Sequence, residues 1–123
     1  MNPVSLPHNH GSFLEKHTDS IPRTEDFQAL SDLFRLLGDT SRLRIFWILC
    51  HCEECVINIS AMMDMSSPAV SHHLKVLKSG GLIVNRREGK EVYYKAADTE
   101  QAALLHRMIE DLIEIDCPGG DRR

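Results

Sequence analysis

The sequence lacks any long apolar run: no stretch of its 123 residues approaches the roughly 18 apolar residues that a membrane-spanning helix requires. Its first residues, MNPVSLPHNHGS, contain neither a basic cluster nor an apolar core, which predicts no secretory signal and a cytoplasmic protein without a membrane partner. In that compartment the four cysteines are expected to be free thiols or metal ligands rather than disulfides. There is also no Gly-rich phosphate loop and no nucleophile with a recognisable base, so an enzyme is the least expected class.

An excess of positive charge is also missing, because the formal net charge is -4. The basic residues are nevertheless concentrated in one part of the chain. Residues 65–95 carry six basic and two acidic side chains, which gives this segment a local charge of +4. A phosphate backbone responds to such a local patch, so the acidic total does not exclude DNA as a partner.

Periodicity divides the chain into three parts. Residues 1–23 contain three prolines and three histidines but little periodicity, which predicts a flexible N-terminal arm. Residues 24–117 contain five segments in which apolar residues recur at helical spacing, which predicts one mainly α-helical domain. Residues 118–123 form a short C-terminal tail.

The middle of the domain has the order of a winged helix-turn-helix. VINISAMM predicts a short helix, and a tight turn separates it from a helix whose buried stripe is Val70, Leu74 and Leu77. Gly80-Gly81 ends that helix, and LIVNRR, a short turn and EVYYK then predict a β-hairpin. The expected fold is therefore mainly α with a small β-hairpin wing.

The polar side chains opposite the buried stripe, together with the cations of the hairpin, are candidates for contact with DNA. Serine and histidine can hydrogen-bond to base edges, while lysine and arginine neutralise phosphates. Two basic elements beside one helix-turn-helix favour DNA binding over an ordinary solvated surface. The candidates are Ser67, Ser71, His72, Lys75 and Lys78 on the helix, and Arg86, Arg87 and Lys90 on the wing.

Three segments carry a resemblance to a known family: GDTSRLRIFWIL, AVSHHLKVLKSGGLI and the wing RREGKEVYY. They resemble the ArsR/SmtB family of winged-helix repressors, and the similarity runs without a gap from about Phe27 to Ile115. This resemblance implies a homodimer, paired through its first and last helices, that binds a roughly palindromic double-stranded operator. It also implies release of the DNA by an inducer, most often a metal or metalloid ion.

The resemblance implies a first metal site at the start of the third helix. Cys55 stands at the family's ligand position there, and the arm supplies His8 and His10. The arm contains no cysteine, and Ile57 replaces the second cysteine of the family's C-V-C pattern. A mixed His/Cys set suits Zn(II), whereas thiolates alone favour softer ions such as Cd(II), Pb(II) or As(III).

A second ligand set is visible in the residues themselves. Cys50, Cys52 and Cys55 form C-x-C-x-x-C, with His51, Glu53 and Glu54 between them. Three thiols so close together could converge on one soft ion. Alternatively, Cys50 is a small buried hydrophobic residue and Cys52 is a turn residue.

The last helix offers weaker candidates. The resemblance implies a dimer-interface site whose positions here are Asp98, Glu100, Asp111 and Glu114, all oxygen donors that suit Mn(II) or Ca(II) better than Zn(II). An acidic outer face of a surface helix is the commoner explanation for these four residues. His106 and Glu110 share a helix face one turn apart, which is a weak signal. Cys117 is either a remote metal ligand or, with Cys50 or another thiol of the cysteine cluster, half of a redox switch.

These observations predict a DNA-binding repressor that a metal ion, Zn(II) or Cd(II) first, releases from its operator. The expected ligands are Cys55 with Cys50, Cys52 and the arm histidines. One alternative is the same repressor switched by thiol oxidation or persulfidation. Another is a metal-binding module that has no role at DNA.

Overall fold

The computed structural model describes residues 5–114, and the chain divides into two compact units, one ending at Asp32 and one beginning at Leu33. No helix among the described residues is long and apolar enough to span a bilayer. The elements, in chain order, are α1 (Phe13–Lys16), α2 (Thr24–Leu36), α3 (Thr40–Leu49), β1 (Glu54–Cys55), α4 (Val56–Met63), α5 (Ser67–Ser79), β2 (Ile83–Glu88), β3 (Glu91–Ala96) and α6 (Glu100–Ile113). The prediction of a mainly helical chain with one β-hairpin is confirmed.

The first unit contains α1, a 3-10 turn over Thr18–Ser20 and most of α2. Ser12 begins α1, because its hydroxyl accepts a hydrogen bond from the Glu15 N–H at 3.2 Å. Both elements lie within residues 1–23, where the sequence predicted a flexible arm without helices. Both are too short to produce an apolar periodicity, so a pattern search does not detect them.

The second unit contains a single apolar core, with α3 at its centre. Ile45 and Phe46 of α3 are completely buried, as expected for a helix rich in large apolar residues. Burial of each such side chain is worth about 1.5–3 kcal/mol, which makes the core the main stabilising contribution. The other buried apolar residues are Leu49, Ile59, Met63, Val70, Leu74, Leu77, Leu82, Ile83, Ala97, Ala102, Leu105 and Ile109.

The turn between α4 and α5 is built as the sequence predicts. Asp64 ends α4 with a left-handed backbone, φ 53°, a conformation that aspartate tolerates better than most residues. The Ser66 hydroxyl then accepts a hydrogen bond from the Ala69 N–H at 3.3 Å and begins α5. A hydroxyl–hydroxyl hydrogen bond of 3.2 Å between Ser60 and Ser67 joins the two helices. The predicted helix-turn-helix is therefore confirmed.

The wing belongs to a three-stranded antiparallel sheet in the order β1-β3-β2. Strands β2 and β3 pair from Ile83 opposite Ala96 to Glu88 opposite Glu91, which leaves a two-residue turn that begins at Gly89, φ 62°. Strand β1 pairs with β3, with Cys55 opposite Tyr93. The sequence did not predict β1, because two residues are too few to show alternation. As a result, the cysteine-rich segment is attached to the wing.

The last helix is only partly covered by the core. Thr99 begins α6 by accepting a hydrogen bond from the Ala102 N–H at 3.1 Å. On its predicted apolar side, Leu105 and Ile109 are buried, but Leu112 is 75% exposed because the final turn extends past the core. Large exposed apolar residues also occur along α2. The exposed set on the two helices is Phe27, Leu30, Phe34, Leu104, Leu112 and Ile113.

Candidate functional site

The candidate DNA-reading surface is the outer face of α5. Val70, Leu74 and Leu77 are 0–1% exposed and fix the inner face of this helix in the core. The opposite side of the helix then points outward, because an α-helix turns once every 3.6 residues. All five predicted DNA-contacting residues of α5 are exposed: Ser67, Ser71, His72, Lys75 and Lys78. The face combines hydrogen-bonding groups with two cations.

The three predicted cations of the wing are exposed, but they do not have the same environment. Arg87 lies at the end of β2 and Lys90 lies in the turn of the hairpin. The Arg86 guanidinium donates hydrogen bonds to the Glu53 carboxylate at 2.7–3.0 Å and to Glu88 at 2.8 Å. Arg86 therefore holds the wing to the segment that precedes β1.

Charge and stacking strengthen the arginine contact. The hydrogen bond from Arg86 holds the pKa of the Glu53 carboxyl below its ordinary value, and the Glu53 carboxylate in turn raises the pKa of Arg86. The guanidinium carbon also lies 4.9 Å from the centre of the Tyr93 ring, a cation–π distance. In the sequence, Glu53 carried no signal for this role, because its partner is 33 residues away.

A second candidate site lies where the end of α3 meets α6. His51 lies two residues after the end of α3, and His106 and Glu110 occupy successive turns of α6. Among the described residues, these three are the one group of His, Cys, Asp or Glu side chains whose ligand atoms all lie within 4.8 Å of one another. The sequence indicated the pair on α6 only weakly and gave no connection to His51.

The three side chains of this cluster converge on one point. The Nε2 atoms of His51 and His106 are 3.0 Å apart. The Glu110 Oε2 lies 3.4 Å from the first of these nitrogens and 3.2 Å from the second. Glu110 and His106 are 0% and 4% exposed, so the cluster is shielded from bulk water. Such an arrangement can share a proton or hold a cation.

Trp47, one turn before His51 on α3, completes the cluster. Its indole N–H donates a hydrogen bond to Glu110 Oε2 at 3.3 Å. Its ring lies 4.5 Å from the His51 ring, and the His51 ring meets the His106 ring edge-on at 4.7 Å. These contacts restrict the rotamers of all three polar side chains. The carboxylate is therefore held in place from two elements.

A cavity of about 390 Å³ opens beside the two histidines. His51 and His106 form part of its wall, together with Cys50 and Cys52 at the end of α3 and Asp98 and Thr99 at the start of α6. This volume is enough for several water molecules. A small ion or a water molecule can therefore reach the buried cluster from this side.

The three described cysteines lie close in sequence, but their sulfurs do not form a ligand group of the kind that the two histidines and Glu110 form. Cys50 ends α3 and Cys55 lies in β1, both partly buried, while the exposed Cys52 donates a weak hydrogen bond to the Ile48 carbonyl. Desolvation raises the pKa of the Cys52 thiol, and the Glu54 carboxylate raises it further. Cys52 is therefore mostly a protonated thiol at neutral pH, which disfavours both metal binding and oxidation.

The remaining predicted ligands are spread over the chain. His8 and His10 are exposed in the first unit, where their rings stack at 6.0 Å. Asp98 and Glu100 lie near the start of α6 and Asp111 and Glu114 near its end, roughly 16 Å away along the helix axis. One protomer therefore cannot bring these four carboxylates together. Cys117 lies outside the described residues.

Comparison with known proteins agrees with this fold. The family profile of the bacterial regulatory proteins of the arsR family matches residues 39–84. A transcriptional repressor SmtB homolog from Synechocystis is 39% identical over 89 residues, which cover 72% of this chain and 67% of that protein. The chain belongs to the ArsR/SmtB family. As a member of that family it is a DNA-binding transcriptional regulator, not an enzyme.

Further relatives and solved structures support the assignment. The cadmium resistance transcriptional regulatory protein CadC of Listeria innocua is 36% identical to this ArsR/SmtB protein. The aligned region covers 63% of the present chain and 71% of CadC. A homodimeric winged helix-turn-helix DNA-binding domain from Mycobacterium bovis superimposes with a TM-score of 0.67 at 29% identity, and covers 77% of this chain and 87% of the domain. The sequence-based prediction of the family and its fold is confirmed.

Proposed function

We propose that the protein is a homodimeric repressor that binds a double-stranded operator through α5 and the wing, and that a divalent metal ion such as Zn(II) or Cd(II) releases it. The observation that carries the proposal is the outward face of α5, where two serines, one histidine and two lysines are all exposed. A helix of this composition can enter the major groove, read base edges and contact phosphates.

The electrostatics fit binding to a phosphate backbone. Each protomer presents Lys75, Lys78, Arg87 and Lys90 as exposed cations on α5 and the wing, while Arg86 is engaged by two carboxylates. If each of the four meets one phosphate, a dimer releases counterions from eight contacts. The logarithm of the affinity should then fall with the logarithm of the salt concentration with a slope of about -7.

The exposed apolar residues support a dimer. Phe27, Leu30 and Phe34 on α2, and Leu112 and Ile113 on α6, are each 45–75% exposed. Apolar residues exposed in such numbers on two helices are typical of a surface that another chain covers. The homodimeric state of the Mycobacterium bovis domain is consistent with this assignment. A two-fold dimer would place its two α5 helices in successive major grooves, roughly 34 Å apart.

The metal response rests on the chemistry of the available ligands and on the relatives. A protein named for cadmium resistance is among the relatives, and this chain contains both a thiol-rich segment and a His/Glu cluster. Cys50, Cys52 and Cys55 with His8 and His10 remain one proposed ligand set. A metal that binds better to the DNA-free dimer would weaken operator binding through a coupling of about 1–3 kcal/mol, or 5- to 150-fold.

Fluorescence anisotropy of a labelled duplex from the region upstream of the protein's own gene tests the DNA-binding part. Reduced, metal-free protein is titrated against this duplex and against an unrelated duplex of the same length. We expect tighter binding to the upstream duplex, and loss of most of the affinity in a Lys75→Ala/Lys78→Ala variant. Equal binding of the variant and the wild type would contradict the proposal and favour a metal-binding module without a role at DNA.

A further inference from the structure

We propose that His51, His106 and Glu110 form a metal site within each protomer, which takes one borderline divalent ion of the Zn(II) class. This site deepens the proposed function, because it assigns the inducing ion to ligands other than the cysteines. Only the effect of the bound ion on operator binding rests on the proposed function. Metal binding itself can be measured without any DNA.

The separations of the three ligand atoms match those of a tetrahedral ion. Zn(II) binds imidazole nitrogen and carboxylate oxygen at about 2.0–2.2 Å, so two ligands of one tetrahedral ion are roughly 3.3–3.5 Å apart. The three separations in the cluster are 3.0, 3.2 and 3.4 Å. A metal ion could therefore enter with side-chain shifts of only a few tenths of an ångström.

Burial of the carboxylate also favours a cation. Glu110 is completely buried, where a carboxylate is stable only beside hydrogen-bond donors or positive charge, and His51 and His106 are among its partners. The indole N–H of Trp47 supplies one hydrogen bond but no charge. An imidazole supplies positive charge only when it is protonated, whereas a divalent ion supplies it at any pH at which the ligands are deprotonated.

The donor set selects the class of ion. Two imidazole nitrogens and one carboxylate oxygen are typical ligands of Zn(II), and Co(II) commonly substitutes for it. The absence of sulfur from this set disfavours soft ions relative to the cysteine-based alternative. Three protein ligands leave a fourth position, which water can occupy because both histidines face the 390 Å³ cavity.

The site is connected to the wing through a short segment. His51 is followed two residues later by Glu53, whose carboxylate holds Arg86 of β2 at 2.7 Å. The next two residues form β1, which pairs with β3. Movement of His51 on metal binding would therefore be transmitted to β1 and β2, the two outer strands of the wing sheet. The same segment joins α3 to the start of α4.

Titration of metal-free, reduced protein with Co(II) and Zn(II) tests the site directly. Trp47 is the single tryptophan of the chain and contacts both His51 and Glu110, so its emission should change when an ion binds. We expect one ion per protomer. We also expect Co(II) spectra with visible bands of a four-coordinate ion but without the near-ultraviolet charge-transfer band of a cobalt–thiolate bond.

Two types of variant separate this site from the cysteines. Glu110→Gln keeps the shape of the side chain and its ability to accept the Trp47 hydrogen bond, and His51→Gln is a second variant at a less buried ligand. Removal of a residue that only hydrogen-bonds to a metal ligand typically weakens metal binding 10- to 100-fold. Each variant removes a ligand itself, so its metal affinity should fall by at least roughly 100-fold. A Cys50→Ser/Cys52→Ser/Cys55→Ser variant, which removes the thiols of the alternative ligand set, should still show the visible Co(II) bands of the cluster. Thermal unfolding checks that each variant is folded.

The outcomes are distinct. No ion bound by the wild type, a thiolate charge-transfer band, or loss of binding in the serine variant with retention in Glu110→Gln would each overturn the site. Metal binding at the cluster without any effect on operator binding would support the site, but it would contradict the metal-released repressor. Conversely, the absence of any DNA binding would remove the proposed function and leave the measured metal site intact.

Discussion

The guanidinium of Arg86 in the wing donates two parallel hydrogen bonds to the carboxylate of Glu53, from NH2 to Oε1 at 2.7 Å and from Nε to Oε2 at 3.0 Å. This bidentate pair fixes the wing to the segment between α3 and β1. It also pairs one of the wing's exposed cations with a carboxylate. The same short segment contains His51, so the proposed metal site and the wing share one covalent connection.

The Glu53–Arg86 pair should make stability depend on pH. Arg86 holds the pKa of Glu53 below its ordinary value of 4.5, so the pair stabilises the folded protein above that pH. This contribution should be lost as the pH falls through the lower, folded-state pKa. Thermal unfolding of wild type and Glu53→Gln over a pH series should therefore show a difference in Tm that is largest near neutral pH and disappears in acid.

A control for this measurement is Glu91→Gln, which removes an exposed carboxylate from the same hairpin. Its Tm should follow the wild-type value over the whole series. A Tm difference between Glu53→Gln and the wild type that did not change with pH would show that the pair contributes through packing alone.

Lysines on the outer face of α5 should contribute to DNA affinity mainly through phosphate contact. Lys75→Ala removes one such cation from each protomer, so a dimer should lose about two units of the salt-dependence slope. Anisotropy titrations at several salt concentrations measure that slope. Arg107→Ala, an exposed cation on α6, serves as the control and should leave it unchanged. An unaltered slope in Lys75→Ala would place α5 away from the backbone.

Gly80, at the end of α5, lies in close contact with the Leu36 side chain of α2. A Cβ atom there would overlap the Leu36 Cδ1 atom, so Gly80→Ala requires that leucine to move. Because Leu36 is only partly buried and its Cδ1 atom ends a flexible side chain, this shift should cost at most about 1 kcal/mol, which urea unfolding can measure. Gly81→Asn is the matched control, because Gly81 has a φ of +76° that asparagine tolerates and no atom lies within 4 Å of its Cβ position. Similar losses in both variants would rule out the contact with Leu36 as the cause.

Much of the fold could be predicted because its signals are local. The ends of α4 and α5 depend on Asp64, Ser66 and Pro68, which act on their immediate neighbours, and the buried stripe of α5 follows helical spacing. The family resemblance depends on the same segments. Strand β1 could not be predicted in this way. Its two residues are strand only because β3 lies beside them.

The site was less predictable, because its contacts join distant parts of the chain. His51 and His106 are 55 residues apart, and only the packing of α6 against the end of α3 places their nitrogens at 3.0 Å. The sequence favours the cysteines as ligands because they lie close together along the chain. Closeness in sequence, however, does not determine where their sulfurs point once α3 ends and β1 begins. The ligand set built on them remains a prediction.

Metal bound at the His51–His106–Glu110 cluster should release the operator. The most direct measurement is anisotropy of the labelled operator duplex with reduced protein, with and without Zn(II), for the wild type and Glu110→Gln. We expect Zn(II) to weaken binding by the wild type 5- to 150-fold and to leave the affinity of Glu110→Gln nearly unchanged. Equal release of the duplex by Zn(II) in both proteins, or no release from the wild type, would contradict this expectation.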